Sequence, residues 1–331
     1  MSPLFSVLLP VTRPPALLPF AIDSVLSQSV ADFELLVICD GAPPETVACA
    51  RAYAESDARV KVFDFPKGAR HGEEYRDRVL AKATGRNVAQ ICDDDLWFPN
   101  HLEQMERLLA TADFGNLLHV HVRPSGTIEI FPGDLGLPEV RGRMIDERYN
   151  FFGLSFAGYR LESYRQLPER WAPAPLDIWT DLFMWRKFLS MQGFVFATRA
   201  AVTALHFAAP ERHGSTLDQR QDENRRFLER IRNPRTRKDI VEAALHSLLD
   251  RTIENDRVAS RCVADLAMLQ EQLTSVRDEV KFLGASKKDL KLKLERTERQ
   301  LQAILRSKSW WLTAPLRKLG TLLRLVSAKA P

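Results

Sequence analysis

Short apolar runs alternate with amphipathic stretches through the first 110 residues of the chain. The runs of strand length lie at residues 4–9, 34–38, 60–65 and 88–91, and the stretches with apolar side chains at helical spacing lie at residues 16–28, 44–54, 73–83 and 100–110. This order of elements predicts an α/β fold with a mostly parallel central sheet, because parallel neighbours need a crossover helix between them.

The pattern changes after residue 113. The predicted elements there are a hairpin at residues 119–123 and 127–131, a surface loop at 133–147, a helix at 177–189, and one or two strands at 194–206. From residue 216 the chain is mainly helical in pattern and strongly charged.

Apolar residues recur at alternating spacings of three and four within residues 261–305. They are Leu266, Leu269, Leu273, Val276, Val280, Leu283, Leu290, Leu294, Leu301 and Ile304, with Lys287 and Thr297 as polar interruptions. This seam predicts a C-terminal coiled coil, although Gly284 weakens its middle. The alternative is a single amphipathic helix packed on the globular part. A coiled coil cannot bury its seam alone, so we expect a partner helix, most simply a second copy in a homo-oligomer.

Residues 306–331 contain basic and apolar side chains but no acidic ones. Trp310 and Trp311 beside basic residues are typical of a segment that lies on an anionic membrane surface. A nucleic-acid partner would use the same basic residues, but a Leu-rich face offers little to bases, so we expect none. The remaining alternative is a helix docked on its own protein.

These patterns together predict the organisation of the chain. The predicted parts are a globular domain at 1–215, with halves at 1–112 and 113–215, a helical linker at 216–260, a coiled coil at 261–305 and a basic amphipathic tail at 306–331.

Composition narrows the class of protein. The 331 residues are 45% hydrophobic and 27% charged, with a net charge of +4, which is ordinary for a soluble globular protein. The four cysteines have no metal-ligand spacing and predict reduced, cytosolic thiols. Residues 4–11 lack a basic flank and a cleavage site, so we expect no signal peptide. No segment has the roughly 20 apolar residues that cross a bilayer. We therefore expect a cytoplasmic protein, peripheral at the inner face of the plasma membrane.

Acidic residues follow two of the predicted strands. Asp93, Asp94 and Asp95 come directly after the run at 88–91, and Asp40 follows the run at 34–38. The carboxyl ends of parallel strands meet at one edge of a sheet, which is where α/β folds bind ligands. Crowded carboxylates favour a hard divalent cation, so the sequence predicts a site for a metal and a nucleotide there. A solvated acidic turn is the alternative.

Four segments in order resemble the glycosyltransferases of family 2, which have the GT-A fold. They are FSVLLP at residues 5–10, DFELLVICDG at 32–41, ATG at 83–85 and DDDLWFP at 93–99. The resemblance covers residues 4–110 well and residues 150–215 thinly. It implies a GT-A-like nucleotide-binding domain.

The resemblance also implies roles for individual residues. The nucleotide-sugar contacts are Pro10, Thr12, Asp40, Arg76 and Asp93, and the ligands of a divalent cation, Mn²⁺ or Mg²⁺, are Asp94, Asp95 and His206, with His213 as the alternative histidine. Asp181, four residues before Trp185, matches the catalytic base.

Simpler roles remain open for several of these residues. Asp40 could be a turn acid, Arg76 a surface residue paired with a glutamate, Asp181 a helix N-cap and His206 a core histidine. The chain also departs from the family pattern. Thr12 stands in place of an aromatic residue, Cys39 and Cys92 in place of common acids, and Thr180 in place of a glutamate.

The implied function is metal-dependent, inverting transfer of a sugar from a UDP-, GDP- or dTDP-sugar to a hydroxyl group. The acceptor would be a glycan or a lipid-linked molecule in bacterial cell-surface polysaccharide or O-antigen assembly. One alternative is a sugar nucleotidyltransferase, which normally carries a Gly-rich phosphate loop; residues 10–15 contain no glycine. The other is a non-catalytic, transferase-like scaffold that acts through its coiled coil.

Overall fold

The computed structural model describes residues 2–314. The chain divides into two compact units, residues 1–252 and residues 253–331.

The first four strands are those that the apolar runs predict. They are β1 (Phe5–Val11), β2 (Phe33–Asp40), β3 (Val60–Phe65) and β4 (Asn87–Gln90), and they pair in parallel in the order β3-β2-β1-β4. In register, Val7 of β1 lies between Leu35 of β2 and Ala89 of β4. The crossovers are helices α1 (Leu18–Leu26), α2 (Pro44–Ser56) and α3 (Glu73–Leu80), followed by α4 (His101–Leu109) after β4. The predicted α/β fold class is confirmed.

The second half of the sheet mixes strand directions. It contains β5 (Leu96–Trp97), β6 (Phe114–Val122), β7 (Ile128–Ile130), β8 (Ala157–Arg160) and β9 (Phe196–His206). The β6–β7 hairpin and the strand near residue 200 agree with the prediction. β8 runs antiparallel to β4 and β6, whereas β6 and β9 are parallel. The mostly parallel arrangement therefore applies to β1–β4, and the described sheet as a whole is mixed.

The predicted surface loop at 133–147 is wrong in part, because α5 (Pro138–Asp146) forms there. Pro138 occupies the first turn, where its missing N–H costs nothing. Met144 is buried, and Arg186 of α7 (Thr180–Leu189) donates to its carbonyl oxygen over 2.9 Å. The Pro and Gly content of this segment favours a loop, but the long-range contact with Arg186 and the burial of Met144 stabilise it as a helix. The short α6 (Leu161–Arg165) follows β8.

The first compact unit continues past the domain end predicted at residue 215. A capping box of Thr216 and Gln219 starts α8 (Leu217–Arg232), and α9 begins at Pro234. Phe227, Leu228, Ile231, Ile240 and Ala244 of these helices are buried in one cluster with Leu96, Phe98 and Leu205 of the sheet. Burial of these side chains attaches α8 and the start of α9 to the sheet.

The second unit begins within α9 (Pro234–Leu305) and includes α10 (Lys308–Leu312). The long helix agrees with the helical pattern, while pairing of its seam with another helix stays a prediction. Within the described part of the chain, no helix has the length and apolar character that a membrane span requires. Most of the predicted tail, residues 315–331, lies outside the described residues.

Candidate active site

A cavity of about 680 Å³ lies at the carboxyl ends of β1, β2 and β4. The predicted residues that line it are Pro10, Thr12, Asp40, Arg76, Asp93, Asp94, Asp181 and His206. Residues as far apart in the sequence as Pro10 and His206 thus meet in one space. Pro10, Asp40 and Asp93 do so because the parallel strands end at the same edge. Asp95 lines the adjoining second cavity instead, and His213 is exposed and is not among the lining residues of the first.

Asp93 and Asp94 are buried and are paired with arginines. Arg13, in the loop after β1, donates from Nε and Nη2 to both oxygens of Asp93, over 2.7 and 2.6 Å. The same Nη2 lies 2.8 Å from Oδ2 of Asp94, and Arg220 of α8 reaches that oxygen over 3.2 Å. Burial and the neighbouring Asp95 raise the pKa of Asp94 to about 6, against the effect of Arg13. Two guanidinium groups therefore balance the charge of these two carboxylates.

Asp95 holds His206 in position. Its Oδ1 lies 3.0 Å from Nδ1 of His206 and accepts from the N–H of Phe207, while the Ser155 hydroxyl donates to Oδ2 over 2.5 Å. Burial opposes ionisation of Asp95, but His206 and these hydrogen bonds outweigh it and lower its pKa. Burial also opposes protonation of His206, but the Asp95 carboxylate outweighs it and raises that pKa. The two residues form an ion pair in which Asp95 is buried and His206 is half-buried, and the direct metal role of Asp95 stays a prediction.

We expect Asp95→Ala to lower the free energy of unfolding by about 3 kcal/mol near pH 6, because Ser155 and Phe207 lose their acceptor. Wild-type stability should fall as acid protonates Asp95 below its ordinary pKa, and as base deprotonates His206 above its own. Urea unfolding at several pH values measures both slopes, and the variant should lack them. Asp64→Ala, which removes an exposed partner of Arg51, is the control and should cost less than about 0.5 kcal/mol. An equal effect of the two substitutions would contradict this ion pair.

Asp40 anchors the loop that follows β3. Lys67 Nζ contacts its Oδ2, and the N–H of Gly68 donates to Oδ1 over 2.6 Å. Gly72 has a φ of +66°, and a Cβ there would lie 2.6 Å from Cγ of Asp40. Only glycine therefore fits this close approach. Contact of Asp40 with a nucleotide base stays a prediction.

Asp181 lies in the first turn of α7, and Trp179 is the N-cap, so the N-cap role for Asp181 is wrong. The N–H of Leu182 donates to its Oδ1 over 2.8 Å, and Asn150 Nδ2 donates to Oδ2 over 2.9 Å. Burial raises the pKa of Asp181 to about 6 despite these donors. A carboxylate with this pKa, at the wall of a cavity, suits a general base.

Arg76, in α3, is buried and only partly hydrogen-bonded, so it is not a surface residue. Its Nη2 donates to the carbonyl oxygen of His71 over 3.3 Å, and its guanidinium lies 4.8 Å from the ring centre of Trp171. Nε and Nη1 of Arg76 are buried without a partner among the described residues. A buried guanidinium with spare donors beside a cavity is suited to an anion.

The donor set fits a divalent cation only in part. In the described residues, no three His, Cys, Asp or Glu side chains are grouped closely enough to hold a metal. Asp94 and His206 nevertheless line the same cavity, and Asp95 binds Nδ1 of His206. A carboxylate on one ring nitrogen is the usual support of a histidine that binds metal through the other. Two protein ligands, with the remainder from a bound diphosphate, fit a hard cation.

A second cavity of about 420 Å³ shares Cys92, Leu154, Trp179, Asp181 and His206 with the first. Its other walls include Phe151, Phe152, Phe156 and Asn150. Asp181 therefore borders both spaces. Trp179 lines both cavities, whereas Trp171 is buried against Arg76.

Four side chains of the site were not predicted from the sequence: Arg13, Asn150, Ser155 and Arg220. Arg13 follows Pro10 and Thr12 in one loop, so its place beside them could have been inferred. Asn150, Ser155 and Arg220 have no local signal, because their partners lie 31 to 126 residues away.

Comparisons with known proteins give a family for the first half of the chain. Residues 6–167 match the model of glycosyl transferase family 2. The glucosyltransferase WfgD of Escherichia coli, whose full name is UDP-Glc:alpha-D-GlcNAc-diphosphoundecaprenol beta-1,3-glucosyltransferase, is 31% identical over 100 residues, 30% of this chain and 38% of WfgD. The uncharacterized glycosyltransferase EpsJ of Bacillus subtilis is 30% identical over 95 residues, 29% of this chain and 27% of EpsJ. The chain thus spans less than two fifths of the length of these relatives.

Among solved structures, the mannosyltransferase PcManGT from Pyrobaculum calidifontis, in complex with GDP-Man and Mn²⁺, is 19% identical with a TM-score of 0.46. That match covers 73% of this chain and 69% of PcManGT.

Proposed function

Residues 6–167 belong to glycosyl transferase family 2, and on this premise we propose that the protein transfers a sugar from a nucleotide-sugar donor to a hydroxyl acceptor. The observation that carries the proposal is the common cavity of Asp94, Arg76 and Asp181. The reaction needs three groups: an acid that holds a cation, a guanidinium that binds an anion, and a general base. Asp94, Arg76 and Asp181 are the candidates for these roles.

The donor would lie in the larger cavity. Pro10 and Thr12 form the wall at the end of β1, on the side where Asp40 ends β2, and are the proposed contacts of the base. Arg76 supplies two buried donors to the diphosphate, and Asp93 is the proposed ribose contact. UDP-, GDP- and dTDP-sugars are all candidate donors.

Asp94 and His206 are the residues that would hold a divalent cation, Mn²⁺ or Mg²⁺. When bound, the cation acts as a Lewis acid that stabilises the departing diphosphate. Arg13 and Arg220 already balance the charge of Asp93 and Asp94. Cation binding at Asp94 therefore requires the Arg13 contact to loosen, which frees a guanidinium next to the diphosphate.

Asp181 is the proposed base for the acceptor hydroxyl. Asn150 and the N–H of Leu182 fix the orientation of its carboxylate at the border of the two cavities. The acceptor would enter from the smaller cavity, whose phenylalanines and Trp179 offer faces for a sugar ring or a hydrocarbon. Attack on the anomeric carbon from the face opposite the diphosphate inverts that centre in a single displacement.

We expect kcat/KM to fall about tenfold per pH unit below about pH 6, because the base must be ionised. Asp94 has a raised pKa in the same range, so the acidic limb of the pH–rate profile does not by itself identify the residue that titrates. Asn150→Ala separates the two, since the Asn150 amide donates to Asp181 and, among the described residues, not to Asp94. Loss of a donor that lowers the pKa of Asp181 should move the acidic limb to higher pH. An unmoved limb in this variant would assign it to another group.

The biological setting that we propose is assembly of bacterial cell-surface polysaccharide or O-antigen at the cytoplasmic face of the plasma membrane. The acid-free segment 306–331, with its paired tryptophans, supports attachment to anionic lipid. A lipid-linked acceptor would then meet the enzyme at the membrane surface. Flotation of the full chain with phosphatidylglycerol vesicles, compared with phosphatidylcholine vesicles, measures this attachment. Equal flotation with both would contradict the proposed attraction of the basic segment to anionic lipid.

Release of nucleoside diphosphate from a panel of UDP-, GDP- and dTDP-sugars, with and without Mn²⁺, tests the proposed reaction. We expect metal-dependent release from one donor class through slow hydrolysis. Formation of nucleoside triphosphate and sugar 1-phosphate when pyrophosphate is added to the donor would indicate a nucleotidyltransferase. If the protein neither turned over nor bound any donor, the non-catalytic scaffold would be favoured. The ion pairs of Arg13 and Arg220 with Asp93 and Asp94 would then explain why no cation binds.

A further inference from the structure

The second unit of the chain exposes a continuous apolar seam on α9. Its residues are Leu266, Leu269, Leu273, Val276, Val280, Leu283, Leu290, Leu294, Leu301 and Ile304, each between 52% and 63% exposed. Among the described residues of this unit, nothing packs on them. A long apolar stripe of this regularity is stable in water only when another helix covers it.

We propose that the cover is a second copy of the same helix, in parallel and in register, so that residues 262–304 form a two-stranded coiled coil. Each seam residue then meets its own counterpart. The proposal concerns only this unit and does not depend on sugar transfer.

The polar seam positions favour this register. With two parallel helices in register, Lys287 meets Lys287 of the second copy and Thr297 meets Thr297, so two of the twelve layers from Leu266 to Ile304 are polar. In the antiparallel pair that overlaps the same residues, Lys287 lies opposite Leu283 and Thr297 opposite Leu273. Each of these polar–apolar contacts occurs twice, so four of the twelve layers contain a polar side chain. A single lysine in such a seam is a known determinant of register.

Charges beside the seam favour the parallel orientation. In a parallel pair, the position before one heptad core residue faces the position five residues later on the partner. Lys293 then faces Glu298 of the second copy, twice by symmetry, and no like charges meet at these flanking positions, although the Lys287 residues of the two copies share a seam layer. In the antiparallel pair, Arg277 faces Lys291 of the second copy and Glu279 faces Lys293, each twice, so repulsion offsets attraction. The charges at the flanking positions therefore favour the parallel pair.

Cys262 extends the seam by one layer and reports on its geometry. It is exposed and lies seven residues before Leu269, at the same heptad position. In the parallel pair the two Cys262 residues share a layer, with Cα atoms about 6 Å apart, which suits a disulfide. In the antiparallel pair they lie at opposite ends of the paired segment, about 70 Å apart at 1.5 Å per residue.

Oxidation of the full chain with diamide tests the proposal. Two Cys262 thiols lose two protons and two electrons, diamide is reduced to its hydrazine, and a disulfide joins the two chains. We expect a covalent dimer on a non-reducing gel for the wild type and none for Cys262→Ser, which keeps the other three cysteines. A dimer in light scattering that does not cross-link would overturn the parallel register. A monomer at all micromolar concentrations would overturn the pairing itself.

A charge exchange gives an independent readout. Lys293→Glu should raise the dimer Kd about fivefold, and the double variant Lys293→Glu with Glu298→Lys should restore it, because the opposite charges meet again. Lys281→Glu, on the outer face of the helix, is the matched control and should leave Kd unchanged. A double variant as weak as the single one would contradict the assigned pair.

Discussion

We expect the Asp181→Asn variant to lose sugar transfer by about a hundred- to ten-thousand-fold while it still binds nucleoside diphosphate like the wild type. Asparagine has nearly the same shape and can still accept from the N–H of Leu182, so the start of α7 is preserved. It cannot take a proton from the acceptor hydroxyl. The loss should therefore appear in kcat, since the donor contacts lie on other residues.

Asp177→Asn is the matched control for this substitution. Asp177 lies four residues earlier in the same segment and is exposed. Initial rates of nucleoside diphosphate release with acceptor, together with nucleotide titration by calorimetry, separate turnover from binding. If Asp181→Asn kept a rate within threefold of the wild type, Asp181 would not be the base, although the donor site could still stand.

The second large effect concerns Asp94. We expect Asp94→Asn to abolish the rise in melting temperature that Mn²⁺ and a nucleoside diphosphate produce together, and to lower transfer at least about a hundredfold. The amide removes the charge that favours the cation, while Arg13 keeps its bidentate contact with Asp93. The loop after β1 should therefore remain in place.

Thermal shift with Mn²⁺ alone, nucleotide alone and both measures this second effect. The control is Asp64→Asn, an exposed acid on β3 whose partner is Arg51. It should give the full combined shift. A combined shift of normal size in Asp94→Asn would remove Asp94 from the cation site and leave it as a partner of Arg13 and Arg220 alone.

The strands and helices of the first half of the fold could be predicted because each is marked by a pattern in its own stretch of sequence. Each of β1–β4 is an apolar run, and the helices between them repeat at helical spacing. Parallel pairing then fixes which strand ends meet, so Asp40 and Asp94 could be assigned to one edge before any coordinates. The mixed second half was harder, because β8 is only four residues long and its place between β4 and β6 depends on distant partners.

The site was only partly predictable for the same reason. Residue type and position pointed to Asp181, but nothing near it in sequence signals that Asn150 orients it. Asp95 looks equivalent to Asp94 in the sequence, yet burial and three donors make it the support of His206. Arg220 reaches Asp94 from a helix outside the domain predicted at residues 1–215. Long-range packing decides which of several similar acids faces the cavity.

The most direct test of the account is a crystal structure of the full chain grown with Mn²⁺ and the nucleoside diphosphate that gives the largest thermal shift. The account predicts the diphosphate beside Arg76, an anomalous manganese peak at Asp94, and Arg13 released from at least one of its two carboxylates. Nucleotide bound outside the cavity, or manganese absent while Arg13 still bridges Asp93 and Asp94, would contradict it.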